Sequence, residues 1–144
     1  MGPIMVAGTS AALAGSFSLV DLSVSVPIGV MVAFILYYQS LSDIEDDLAI
    51  GKRTLSARLG RSRAIWGIRL FYTASIASMV ALAISDLVSP VAYLSILTAP
   101  MAWRIDAMIT KSENWYDLHD KGGKVRLFYL CNGMLLIVSV TLRN

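Results

Sequence analysis

Uncharged stretches alternate with charged ones along the chain. Met1 to Val20 carries no charge and is closed by Asp21, and Leu22 to Ser42 carries none. A polar block runs from Asp43 to Arg63. Ala64 to Ser85 is apolar apart from Arg69, Asp86 interrupts, and Leu87 to Trp103 is again uncharged. A second polar block spans Arg104 to Arg126, and Leu127 to Leu142 is uncharged before Arg143-Asn144. A helix needs about 20 residues to cross the hydrocarbon core, with a lower limit near 17. Two runs reach this outright. The third does so if Arg69 snorkels to the interface, and the last does so by borrowing Phe128 and Tyr129. Five such runs cannot all hide inside a small soluble domain. The pattern predicts an all-α integral membrane helical bundle of about five transmembrane helices, forming one domain or part of one.

Composition agrees. Of the 144 residues, 56% are hydrophobic and 15% charged, against about 25% charged in a typical soluble domain. A net charge of +2 gives no nucleic-acid footprint. Cys131, alone, excludes an internal disulfide framework and a thiolate metal site. The N-terminus has no basic segment of a secretory signal, and Val6 stands where myristoylation prefers Ser or Thr. The chain opens inside an apolar stretch, which suggests truncation.

Charge distribution predicts topology. Lys52, Arg53, Arg58, Arg61 and Arg63 lie in the first polar block; Arg104, Lys111, Lys121, Lys124 and Arg126 lie in the second. The linkers at Asp21 and Asp86 hold no Lys or Arg. The positive-inside rule then puts both blocks on the cytoplasmic side, with Met1 inside and Asn144 outside. Tyr37, Tyr38, Trp66, Trp103 and Tyr129 fall near that interface. Gly8, Ala11, Ala12, Ala14 and Gly15 suit close helix approach in lipid.

The segment Asp43-Ile44-Glu45-Asp46-Asp47 places four carboxylates in five residues at the end of an apolar run. In a continuing helix Asp43 and Asp47 share a face at i and i+4, where like charges repel. A hard cation would relieve this, since Mg²⁺ is typically held by one or two carboxylates plus substrate phosphates. Lys52, Arg53 and Arg58 would then meet a phosphate or diphosphate. A solvated helix cap is the competing reading. A calcium EF-hand fails, because Leu48 stands where that loop needs Gly. His119, between Asp117 and Asp120, reads as a solvated loop residue with a smaller claim as ligand or base. Asn132 and Gln39 suit interhelical hydrogen bonds or a cavity wall. Arg69 is the charge set inside the membrane.

The acidic segment followed by Gly51-Lys52-Arg53-Thr54-Leu55-Ser56-Ala57-Arg58-Leu59-Gly60 resembles the second aspartate-rich motif of the UbiA prenyltransferase superfamily. It looks closest to the menaquinone branch, the dihydroxynaphthoate polyprenyltransferases. Gly2-Pro3 with Gly8-Thr9 also resembles the opening of a helix in that branch. The resemblance implies nine helices around a cavity, of which this chain, 1–144, corresponds to the last five. It implies Mg²⁺ held by two aspartate-rich motifs, a prenyl diphosphate substrate and an aromatic acceptor of the quinone-precursor type. Carried over by position, Asp43 and Asp47 are the principal metal and catalytic carboxylates, with Asp46 in the metal set. Lys52 contacts the diphosphate, helped by Arg53, Arg58 and Gln39. Gln39, Ser40 and Ser42 stand where the branch has an Asn pair and an Arg. The first aspartate-rich motif is absent, so the isolated chain is expected to be inactive without a separate N-terminal-half chain. The alternative is a non-enzymatic transporter-like or assembly subunit.

Overall fold

The computed structural model describes residues 2–16, 18–112 and 114–143, and every regular element among them is a helix. In chain order these are α1 (Gly2–Ala14), α2 (Leu19–Ser42), α3 (Ile44–Ala49), α4 (Leu55–Ile84), a 3-10 segment (Pro90–Thr98), α5 (Ala99–Lys111), a short 3-10 turn (Trp115–Leu118) and α6 (Gly123–Thr141). Met1 and Asn144, to which the topology assigned opposite sides, lie outside the described residues.

Among the described residues, α2, α4 and α6 are the three helices long and apolar enough to cross a membrane by length and composition. The first run supplies the shorter α1, 13 residues long. The fourth is a composite: Pro90–Thr98 winds as 3-10 helix and continues into α5. Pro100 explains the change of winding, since it has no N–H to donate to the carbonyl of Ile96. The two pieces add roughly 18 and 20 Å of rise, the second carrying Arg104, Asp106 and Lys111 of the polar block.

Local signals set the ends. Ser18 and Asp21 form a reciprocal capping box at the start of α2, satisfying two otherwise orphaned donors. Helix α4 begins well before the apolar run, in the basic motif, and breaks at Gly60 (φ 71°, ψ 166°), a conformation essentially reserved for glycine. The tight approach of α1 to α2 lies at Gly2, where an added Cβ would meet Gly29 Cα at 2.6 Å. Gly8, expected to make such an approach, has open space beside it.

Two cores result. One gathers Phe34, Tyr37, Tyr38, Leu41, Ile68, Ile105 and Phe128 near the polar blocks. The other, at the opposite end, gathers Met79, Leu82, Ala83, Val88, Ala92 and Leu136. Tyr37 and Tyr38, expected in the interfacial belt, are buried in the first core, whereas Trp66 and Trp103 do point away from the bundle. Between the two cores, buried Asn132 donates to Thr98 Oγ1 at 3.2 Å, an interhelical bond of the kind its sequence position suggested. Arg69 is paired within the bundle. Its guanidinium donates to Asp106 on α5 at 2.7 and 3.1 Å and lies over the Trp66 ring.

Candidate functional site

The acidic motif sits where α2 ends and α3 begins. Asp43 joins them: its N–H donates to Gln39 O, and its own carbonyl accepts from Asp47 N–H. Gly51 (φ 76°) then turns the chain back, and Lys52 N–H donates to Asp47 O at 2.8 Å. Hydroxyls tie the returning strand of chain to α2. Ser40 and Ser56 side chains lie 2.6 Å apart, and Ser56 Oγ donates to Ser40 O at 2.9 Å. The motif is thus a closed turn fastened at both ends.

The second polar block folds over this turn. Tyr38 on α2 donates to Leu118 O at 2.7 Å, and Arg61 stacks on Trp115. The Tyr116 hydroxyl donates to the Asp46 carboxylate, and His119 Nε2 lies 3.5 Å from Asp43 Oδ1. The two charged blocks therefore meet at one end of the bundle, as their spacing implied. Hydrogen bonding to the Asp46 carboxylate holds the Tyr116 hydroxyl above the ordinary phenol range.

Between the turn and the loop lies a cavity of about 520 Å³. Its polar walls are Tyr38, Gln39, Ser42, Asp43, His119 and Arg126, and Ile35, Leu118, Gly122 and Val125 complete it. A second, apolar groove of about 320 Å³ is lined by Val24, Ile28 and Met31 of α2 and by Tyr129, Gly133, Leu136, Ile137, Val140 and Thr141 of α6. The two lie at successive levels of the same helix pair: residues between 35 and 43, at the end of α2, and 125 to 126 of α6 line the cavity, and residues between 24 and 31 and between 129 and 141 line the groove. Phe34 and Phe128 meet edge to face at the level between them. The α2–α6 seam thus has a polar cavity at one end and an apolar groove beyond it, about 28 Å from Val24 to Asp43 at the α-helical rise.

The expected site residues are divided. Gln39 and Asp43 line the cavity. Asp47 is buried but turns to Lys52, whose ammonium is 3.0 Å from its carboxylate. Asp46 meets Tyr116. Arg53 and Arg58 are exposed, and neither lines the cavity. Carboxylate crowding in the motif is thus relieved by giving Asp43, Asp46 and Asp47 a partner each. Among the described residues, no three His, Cys, Asp or Glu side chains gather as a metal cage. The donor set suits a cation that takes one or two carboxylates and completes its shell with substrate oxygens.

Sequence reasoning gave His119 little weight and used Arg126 only as a marker of topology. Both belong to the cavity. The only local signal at His119 was its flanking pair, Asp117 and Asp120, and neither lines the cavity.

Residues 1–115 match the UbiA prenyltransferase family. No curated protein and no solved structure matches the chain.

Proposed function

This chain belongs to the UbiA prenyltransferase family, and from that premise we propose that it takes part in Mg²⁺-dependent transfer of a prenyl chain to an aromatic acceptor. The observation that carries this reading is the α2–α6 seam. A prenyl diphosphate is an anion with a long apolar tail. The polar mouth offers Asp43, Gln39, His119 and Arg126 to the head, and the groove beyond offers an apolar path to the tail.

In this reading Asp43 supplies the cavity carboxylate for Mg²⁺. Asp47, one helical turn on, joins when Lys52 leaves it for the diphosphate. Asp46 is the remaining carboxylate of the set, and Arg53 and Arg58 assist from the rim. The metal ion, when bound, neutralises charge building on the departing diphosphate. Arg126 on the cavity wall, and Lys52 once it has left Asp47, add positive charge there as well. The allylic C–O bond breaks with its electron pair leaving on the diphosphate. The aromatic ring then forms the new C–C bond and releases a proton. Ile35, Val125 and Leu118 limit water beside the developing cation. We place the acceptor among quinone precursors of the dihydroxynaphthoate kind, on the resemblance of the motif from Gly51 to Gly60. We place the acidic turn on the cytoplasmic face of the cell membrane, on the strength of ten Lys and Arg residues in the two polar blocks.

The test is binding of farnesyl diphosphate with and without Mg²⁺ by the detergent-solubilised chain and by its Asp43→Asn and Asp47→Asn variants. Metal-dependent binding weakened at least about tenfold in Asp43→Asn is expected, the lower end of the range for loss of a group supporting a metal site. Equal binding by all three proteins would remove the metal-site assignment and leave the acidic turn as a docking element of a non-enzymatic subunit.

A further inference from the structure

Behind the loop that roofs the cavity lies a groove of a different character. It holds about 330 Å³ and is lined by Arg104, Lys111, Lys121 and Lys124, with Ala107 and Met108 as its floor. Four cations from three segments converge there: Arg104 and Lys111 from α5, Lys121 from the loop, Lys124 from α6. No carboxylate is among the lining residues. Asp106 on α5 is committed to Arg69, and Asp120, next to Lys121 in sequence, is not among the lining residues. Lys121 Nζ lies 3.5 Å from Ser112 Oγ, which ties the loop to the end of α5.

This groove is separate from the cavity. At the start of α6, residues 122, 125 and 126 face the cavity, whereas 121 and 124 face the cations. A basic excess at this end follows from topology alone, but topology does not require the charges to share one concavity. Like charges brought together this way repel unless an anion sits among them.

The anion's nature follows from what adjoins the groove. Arg104 and Ala107 are shared with a second depression of about 390 Å³, completed by Pro100 and Trp103. Trp103 is 76% exposed and sits beside the cations on the outer face of α5, where amphipathic aromatics meet a membrane interface. A headgroup-sized basic site thus adjoins an open depression walled by Pro100, Trp103 and Ala107.

We propose that this groove is a binding site for an anionic phospholipid, its phosphate held by Arg104, Lys111, Lys121 and Lys124 and its acyl chain laid against Trp103 and Pro100. Basic pockets between transmembrane helices recognise lipid headgroups by this chemistry. The site uses no residue of the cavity, so it stands whether or not the prenyl-transfer reading does.

The experiment is native mass spectrometry of the full chain in neutral detergent with dioleoyl phosphatidylglycerol, dioleoyl phosphatidylcholine or inorganic phosphate. The anionic lipid should be retained at least about tenfold better than the zwitterionic one. The triple variant Lys111→Gln/Lys121→Gln/Lys124→Gln should lose that preference, and Arg104→Gln alone should weaken retention about fivefold, the effect expected per juxtamembrane cation. Arg63→Gln, outside the groove, should leave it unchanged. Equal retention of both lipids, or an anionic preference surviving in the triple variant, would overturn the proposal. Displacement of the lipid by millimolar inorganic phosphate would also overturn it, assigning the cations to a soluble anion.

Discussion

The two ends of the bundle are built on different principles. At the polar end the core is aromatic and its hydroxyls are committed to remote partners: Tyr37 donates to Ala64 O, and Tyr38 donates to Leu118 O eighty residues away. At the opposite end the core is small and aliphatic. It is closed at helix ends: the capping box at Ser18, Ser89 N–H to Ser139 O, and Arg143 to Leu87 O, the last two reaching between segments far apart in sequence. One end fixes a loop above a cavity; the other only finishes helices. A disturbance at the polar end should therefore reach the site, and one at the far end should cost stability alone.

Gly67→Ala should show the largest structural effect. Its Cβ would lie 2.6 Å from Tyr37 Cζ, and that ring is held by its bond to Ala64 and by Phe71, 5.2 Å away. Overpacking of this kind costs about 1–3 kcal/mol, read as a lowered unfolding midpoint in detergent. An unchanged midpoint would mean that α2 and α4 separate without penalty. Tyr38→Phe comes next. It removes one of two donors to the Leu118 carbonyl, leaving the Lys121 N–H, at a cost of about 1 kcal/mol. Limited proteolysis should cut faster between residues 114 and 122, and an unchanged cleavage rate would show the loop to be anchored elsewhere.

Ser18→Ala tests the far end. Loss of the cap should cost about 0.5–1 kcal/mol, with cleavage of the 114–122 loop unaltered. A loosened loop would erase the contrast between the ends. The smallest effect concerns Tyr116. Its hydroxyl is held protonated by Asp46, so its pKa in the fold lies above the unfolded value near 10. The stabilisation is complete below that unfolded value and disappears as pH rises through the raised folded one. Tyr116→Phe should flatten the alkaline limb of a stability–pH curve, and an identical limb in both proteins would show that the contact carries no linkage.

Much of this arrangement was readable in the residues. Three of the five expected spans are helices long and apolar enough to cross a membrane, and the spacing of charges put both polar blocks at one end, where Asp43 meets His119 and Asp46 meets Tyr116. Gln39 and Asp43 were named from the motif and do line the cavity. What escaped was pairing at long range. Periodicity reports which face of a helix is apolar, not which distant residue lies against it. Nothing near His119 announces Asp43, and nothing near Arg69 announces Asp106. The composite fourth segment escaped for a local reason: hydropathy counts apolar residues and is blind to the amide hydrogen that Pro100 lacks.

The Arg69–Asp106 pair also bears on how the protein is assembled. Asp106 belongs to the charged stretch that begins just after Trp103, and Arg69 lies over the Trp66 ring, so the bond fastens α4 to α5 where the apolar run of α5 gives way to charge. Neither charge is partnered until the other helix is in place, so the two come to rest as one unit, although each is drawn as a separate helix.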